Sequence, residues 1–236
     1  MPPLPPVGRR FSRSRPVRLG DVDPAGFLRL DALTRYTQDV SNDDTSDAEL
    51  ADHLDWVVRS TMVDVHAEAT FGERLTLTTF CGALGKRWAQ RRITIEGDAG
   101  ARYEVATLWI FVDPTSGRPR RLSDQFVELY GDAAEGRTIG ARLGHPRPDD
   151  AAEREPWPVR RADCDTVGHV NNAAYWTAAE EFWAAGGRAG WRYLTEYGGG
   201  IPLGATAQLV RSDDLLWFEV DGAVAASTSR VELGPV

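Results

Sequence analysis

A short segment near the N-terminus of this 236-residue chain recurs in its second half, and this repeat constrains the fold more than any other feature. Residues 16–27 read PVRLGDVDPAGF, and residues 158–169 read PVRRADCDTVGH. The proline, valine, arginine, both aspartates and the glycine coincide without a gap. Such a repeat indicates one supersecondary unit used twice. Phe27 stands where His169 stands in the other copy, so we expect any chemistry to belong to the second copy.

The second copy carries residues that can do chemistry. Asp163 and Asp165 alternate along an extended segment, so only one of the two carboxylates can face a given pocket. Asn171 or Asn172 can cap the helix that follows. His169 and a carboxylate would then lie beside free helix-start N–H groups, which favour negative charge developing on a carbonyl oxygen. The alternative is an ordinary strand–turn–helix junction in which Asp and Asn form the turns.

The first half has the pattern of one helix followed by an antiparallel sheet. Apolar residues spaced three or four apart predict a helix between Phe27 and Val40, and the polar stretch 39–47 predicts a solvated end and loop. The period then changes to two, with glycine-containing breaks between the segments, as in antiparallel hairpins. The predicted strands are 57–65, 74–80, 87–95 and 102–112.

The second half restarts after a stretch rich in Gly, Pro, Asp and Ala, in which we expect His145 to be solvated. A helix with Trp176 and Trp183 on one face follows, and then strands are predicted at 205–211, 215–220 and 223–232. The whole pattern predicts an α+β fold. The predicted divisions are a disordered lead-in (1–14), an N-terminal repeat (15–130), a linker (131–156) and a C-terminal repeat (157–236).

Composition and charge exclude several classes of function. A formal net charge of −8 argues against nucleic-acid and anionic-membrane partners. The opening residues lack the apolar core of a secretory signal, so we expect a cytoplasmic protein. Only Cys81 and Cys164 occur, far apart, so we expect neither a disulfide framework nor a metal-ligand cluster. Two basic clusters are either solvated strand ends or a docking patch for phosphate or an acidic carrier protein: Lys86, Arg87, Arg91 and Arg92, and Arg118, Arg120 and Arg121.

Residues 163–175, DCDTVGHVNNAAY, closely resemble the D-x-D-x-x-x-H-V-N-N-x-x-Y signature of hot-dog-fold thioesterases. The first half adds WVVR (56–59), RRITI (91–95) and EVATLWIFVDPTSGRPRRLSD (104–124), which resemble the acyl-acyl-carrier-protein thioesterases of the plant and bacterial fatty-acid type. This resemblance implies two fused hot-dog repeats, each a helix cradled by an antiparallel sheet. One chain would then mimic a hot-dog dimer, either as a monomer or within a homodimer.

The resemblance also implies a function: hydrolysis of acyl-acyl-carrier protein to free fatty acid in fatty-acid biosynthesis, without metal or cofactor. Asp165 would attack the acyl carbonyl or activate a water, and His169 would orient the reacting groups. The resemblance further suggests oxyanion donors at the helix start (Val170, Asn171, Asn172) and an acyl pocket along the first helix (Leu30, Leu33, Tyr36). Acyl-CoA hydrolysis and acyl binding without catalysis remain the alternatives.

Two positions depart from the family pattern. Val167 occupies the place two residues after the catalytic Asp where an Asn is usual, and a valine side chain can neither hold a water nor polarise a carbonyl. The family also places an acidic or Cys residue on a later strand of the second repeat. The corresponding region here offers three candidates for a third polar partner: Ser212, Asp213 and Asp214.

Overall fold

A computed structural model of the chain describes residues 1–50, 55–183 and 186–234. The described residues form three α-helices: α1 (Leu30–Asp47), α2 (Asp124–Tyr130) and α3 (Trp176–Trp183). They also form ten strands: β1 (Arg10–Pro16), β2 (Trp56–Ala67), β3 (Arg74–Leu84), β4 (Trp88–Gly97), β5 (Arg102–Phe111), β6 (Arg154–Trp157), β7 (Trp191–Tyr197), β8 (Ala207–Arg211), β9 (Leu215–Val220) and β10 (Ala223–Glu232).

The ten strands make one continuous antiparallel sheet with a mirrored order. That order is β1-β3-β4-β5-β2-β7-β10-β9-β8-β6, so each strand of the first half has a counterpart in the second. The two halves join where β2 pairs with β7, with Met62 opposite Leu194 and Val63 opposite Tyr193 at the centre of the pairing. The predicted α+β architecture of two hot-dog repeats is therefore confirmed.

The two copies of the sequence repeat adopt the same backbone structure. The Asp23 N–H donates to the Phe27 carbonyl at 2.9 Å, and the Asp165 N–H donates to the His169 carbonyl at 2.9 Å. The glycine before each of these carbonyl residues has a positive φ, 88° in the first copy and 78° in the second. Only glycine adopts that conformation without strain, so the shared glycine is required by the turn.

Helix α1 extends further than its apolar spacing predicts. The interval 39–47, expected to be a solvated loop, is helical as far as Asp47. The reason lies in Asp44, which is buried and forms ion pairs with Arg9 and Arg91. A buried carboxylate is tolerated when it is paired in this way, so a polar sequence can continue a packed helix.

The predicted lead-in and linker both need correction. Residues 10–14 belong to β1, which pairs with β3 from Arg10 opposite Phe80 onwards, so they are not a disordered segment. The linker is also less solvated than expected. His145 is largely buried, with Nδ1 at 2.8 Å from the Ser227 hydroxyl and Nε2 at 2.9 Å from the Ser229 hydroxyl. These hydrogen bonds hold this part of the linker against strand β10 of the sheet.

Candidate active site

A cleft with a volume of about 800 Å³ lies where the two repeats meet. The second repeat contributes Asp165, His169, Val170, Asn172 and Tyr175 to it. The first repeat contributes a mostly apolar wall that includes Trp56, Val57, Val58, Trp88, Ile110 and Val112. The predicted acid and imidazole therefore open on the same cavity, opposite a surface on which hydrocarbon can lie.

Asp165 and His169 are both exposed to solvent in the cleft. One oxygen of Asp165 accepts the Val167 N–H at 3.0 Å, and no cation among the described residues pairs with the carboxylate. Asp163, by contrast, is buried and is held by the side chain and N–H of Arg160. Only one carboxylate of the pair faces the cleft, as the alternation predicts.

The equivalent carboxylate in the first repeat, Asp23, forms hydrogen bonds and an ion pair within the protein. Asp23 accepts the N–H groups of Ala25 and Phe27 and lies 2.9 Å from the buried guanidinium of Arg188. Desolvation works in the opposite direction, but the hydrogen bonds from Phe27 and Arg188 lower the pKa of Asp23. Arg188 also pairs with Glu68 and Glu180, so the first copy has become part of an ionic cluster between the repeats.

Two of the three predicted oxyanion donors are wrong. The Val170 N–H donates to the Ile201 carbonyl at 2.8 Å, and the Asn171 N–H donates to the Asp163 carbonyl at 2.8 Å. Both groups are thus satisfied within the protein. The backbone N–H of Asn172 has no acceptor among the described residues, and Asn172 lines the cleft. Of the three predicted donors, it is the one that stays available to a substrate oxygen in the described part of the chain.

The helix start also differs from the prediction. The side-chain oxygen of Asn171 accepts the Ala173 N–H at 2.9 Å, but this stabilises a turn, and α3 begins only at Trp176. The site therefore lies before the first turn of the helix. The hydrogen-bond donors available at the site are therefore single backbone N–H groups and not the aligned N–H groups of a helix end.

The three candidates for a third polar partner lie elsewhere. They line or flank a separate depression beside Trp183 and Arg230. The Ser212 hydroxyl donates to the Leu215 carbonyl, Asp213 accepts from the Trp183 indole through its carbonyl, and Asp214 pairs with Arg230. These contacts form the turn between β8 and β9, which places all three side chains away from the cleft.

The predicted acyl pocket is likewise wrong. Leu30, Leu33 and Tyr36 are buried in the main core and line neither the cleft nor the two smaller cavities beside α1. The Tyr36 hydroxyl donates to Asp21 at 2.6 Å. The apolar stripe of α1 packs against the sheet, so the cavities lie along the polar side of the helix.

Tyr175, Tyr197 and Gly200 are among the cleft residues that the sequence analysis did not assign to the site. Burial, with a smaller contribution from the charge of Asp165, raises the pKa of Tyr175 to about 12, so its phenol stays neutral. The Tyr197 hydroxyl donates to the Asn172 carbonyl at 3.0 Å and holds that residue in place. The final tyrosine of the motif and the run of three glycines after β7 were the available signals.

The chain was compared with known proteins. The profile described as "Acyl-ACP thioesterase N-terminal domain" matches residues 8–130, and the corresponding C-terminal domain matches residues 147–185. The chain belongs to the acyl-ACP thioesterase family. Uncharacterized proteins from two Mycobacterium tuberculosis strains are 35% identical over 162 residues, which is 68% of this chain. The match spans 65% of the length of those relatives.

Solved structures show that this family member shares its fold with other thioesterases. A Lactobacillus plantarum protein with the provisional name oleoyl thioesterase aligns with a TM-score of 0.78 at 19% identity, over 99% of this chain and 100% of its own. The 12:0-ACP thioesterase of Umbellularia californica gives 0.75 at 17% identity, over 94% and 96%. An acyl-ACP thioesterase of Bacteroides thetaiotaomicron gives 0.73 at 13%, over 94% and 97%.

Proposed function

We propose that this family member hydrolyses acyl-acyl-carrier protein and releases the free acid in fatty-acid biosynthesis. The observation that carries the proposal is the cleft itself, because it is lined by Asp165, His169 and Asn172, and the Asn172 N–H has no acceptor among the described residues. The apolar wall of the first repeat gives an acyl chain a surface to bind. The two copies of the repeat differ, because Asp23 is paired with Arg188 whereas Asp165 is exposed. This difference supports a single site in each chain.

In the proposed reaction Asp165 acts as general base, because it is exposed and water can reach it. Asp165 takes a proton from a water molecule as the water oxygen bonds to the acyl carbon. The carbonyl oxygen becomes negative and accepts from the Asn172 N–H. The carbonyl then re-forms as the carbon–sulfur bond breaks, and the thiolate takes up the proton that Asp165 accepted, which returns Asp165 to its carboxylate form. His169 is placed on the same cleft, where it can orient the water and the thioester.

The charges around the cleft support a carrier with a phosphate. Arg59 and Arg87 line the cleft, and neither pairs with a carboxylate in the described part of the chain. Lys86, Arg118 and Arg121 nearby in sequence are exposed and have no ion pair in the described residues. The remaining members of the two basic clusters are committed to acids within the protein: Arg91, Arg92 and Arg120.

A phosphopantetheine arm occurs both in acyl-carrier protein and in coenzyme A, so these residues suit either thioester. We favour the carrier protein because the exposed cations extend beyond the cleft to residue 121, where a protein partner can contact them. We further propose that the protein acts in the cytoplasm as a monomer, since the halves already share one sheet through β2 and β7.

The test is a hydrolysis assay with matched acyl chains on carrier protein and on coenzyme A. Asp165→Asn and His169→Gln are each expected to lower kcat about 10²–10⁴-fold, the usual contribution of a general base. Asp124→Asn removes an exposed carboxylate on α2 and serves as the matched control. Equal rates for Asp165→Asn and the control would refute the proposed site.

One observation favours a second candidate, an acyl-thioester binder without catalysis. Val167, at the position where the family usually has Asn, lines the cleft and is 75% exposed. Tight binding of an acyl thioester with hydrolysis at the background rate would establish this alternative.

A further inference from the structure

Two small cavities continue from the cleft into the first repeat. The nearer has a volume of about 10 Å³ and shares Val58, Asn172 and Tyr197 with the cleft. The farther has a volume of about 50 Å³ and shares Ser41 and Trp109 with the nearer one. The shared residues place both cavities along α1 beside the proposed reaction centre, and the two cavities together are named here the side chamber. A volume of roughly 10–15 Å³ holds one water, so the side chamber takes only a short chain.

The wall of the side chamber is polar where α1 forms it. The helix contributes Thr34, Thr37, Gln38, Ser41, Asn42 and Thr45, and the sheet contributes Thr61 and Thr107. The Thr37 hydroxyl donates to the Thr34 carbonyl at 2.7 Å, and the Ser41 hydroxyl donates to the Thr37 carbonyl at 2.6 Å. Because their protons are used in this way, these oxygens can only accept a further hydrogen bond.

Trp109 supplies the complementary group. Its indole N–H is buried and has no hydrogen-bond partner in the described residues, and Trp109 lines both cavities of the side chamber. A buried donor without a partner requires an explanation, and a polar atom of a ligand provides one. Trp109 lies opposite Val58 in the pairing of β5 with β2, and Val58 also lines the cleft. Trp109 is therefore the cross-strand neighbour of a residue that lines the cleft.

We propose that the side chamber selects a short acyl chain with a hydroxyl group near the thioester. Such a hydroxyl accepts from the Trp109 indole and donates to the oxygen of Thr37 or Ser41, so both sets of groups are satisfied at once. A keto oxygen can only accept, and a saturated chain would leave the indole N–H unpaired. This specificity rests on the proposed thioester hydrolysis.

The test compares hexanoyl, 3-oxohexanoyl and 3-hydroxyhexanoyl thioesters on the same carrier. In the wild type, kcat/KM is expected to be highest for the hydroxyacyl substrate and lowest for the saturated one. Trp109→Phe removes the indole donor and keeps an aromatic ring, so it should lower the hydroxyacyl-to-hexanoyl ratio about threefold to tenfold, the effect of one hydrogen bond. Trp183→Phe, the same change beside a different depression, should leave the ratio unaltered.

A second variant tests the other side of the chamber. Thr37→Val combined with Ser41→Ala makes the helix wall apolar and should raise kcat/KM for the hexanoyl substrate while lowering it for the hydroxyacyl substrate. Both variants are judged by the hydroxyacyl-to-hexanoyl ratio of kcat/KM within one protein preparation, so a loss of folded protein does not imitate either result. A wild type that hydrolyses the saturated thioester as fast as the hydroxylated one would overturn the specificity and leave the hydrolase intact. A wild type that hydrolyses none of the three but cleaves a longer saturated thioester would overturn the specificity alone, whereas one that hydrolyses no acyl thioester would overturn the proposed function as well.

Discussion

Gly200→Ala should impair catalysis without unfolding the protein, because Gly200 lies against the imidazole of His169. A Cβ atom at this position would lie 3.1 Å from Cγ and 3.2 Å from Cδ2 of His169. These distances are a few tenths of an ångström shorter than ordinary contacts, so the ring must shift or change rotamer. Misplacing a reacting group by 1 Å can cost about 10²-fold, so this smaller shift should lower kcat/KM by about tenfold.

The stability of the variant should hardly change, because His169 is exposed and can move at little cost. We expect a change of less than about 0.5 kcal/mol in the free energy of unfolding, measured by urea denaturation. Gly199→Ala is the matched control, since its Cβ would meet nothing within 4 Å. If both variants have the same kcat/KM with an acyl thioester, the position of the imidazole does not matter and the assignment of His169 is refuted.

Three further predictions concern other parts of the molecule. Arg188→Met should cost about 3–5 kcal/mol of unfolding free energy in urea, because three carboxylates lose a buried partner. Burial lowers the pKa of His145 below its ordinary 6.5, so the folded state binds this proton less readily than the unfolded chain. Stability should therefore fall as the pH drops below about 6.5, and thermal melts of His145→Asn should show a shallower fall. Val167→Asn restores the polar group usual in the family and should raise kcat severalfold at unchanged stability, whereas an unchanged kcat would show that the cleft does not need it.

The repeat and the alternating strands of the first half predicted an α+β fold with one unit used twice, and the hot-dog architecture came from the family resemblance. Strand β7 was missed because its sequence, WRYLTEY, carries charges and lies between glycine-rich turns. Arg192 binds Asp64 at 2.6 Å, and Glu196 accepts N–H groups from the linker. These partners are distant in the sequence, so a local pattern cannot show that the charges are satisfied inside the sheet.

The site was predictable only in part for the same physical reason. The motif predicted which residues share the cleft, because side-chain types and spacing are local properties. It could not show that the Val170 N–H donates to Ile201, since that carbonyl comes from a loop after β7. Nor could the apolar spacing of α1 reveal the cavities, which lie along its threonines and serines.

Because one polypeptide supplies both repeats, each substitution changes one side of the molecule alone. In an assembly of identical subunits, an arginine that neutralises the acid of one copy would neutralise the other as well. Here Arg188 binds Asp23, while Asp165 pairs with no cation in the part of the chain that the structure describes. Fusion therefore allows the two halves to change independently. Substitutions in the N-terminal half can alter the surface proposed to bind the acyl chain, while the acid and imidazole of the C-terminal half stay the same.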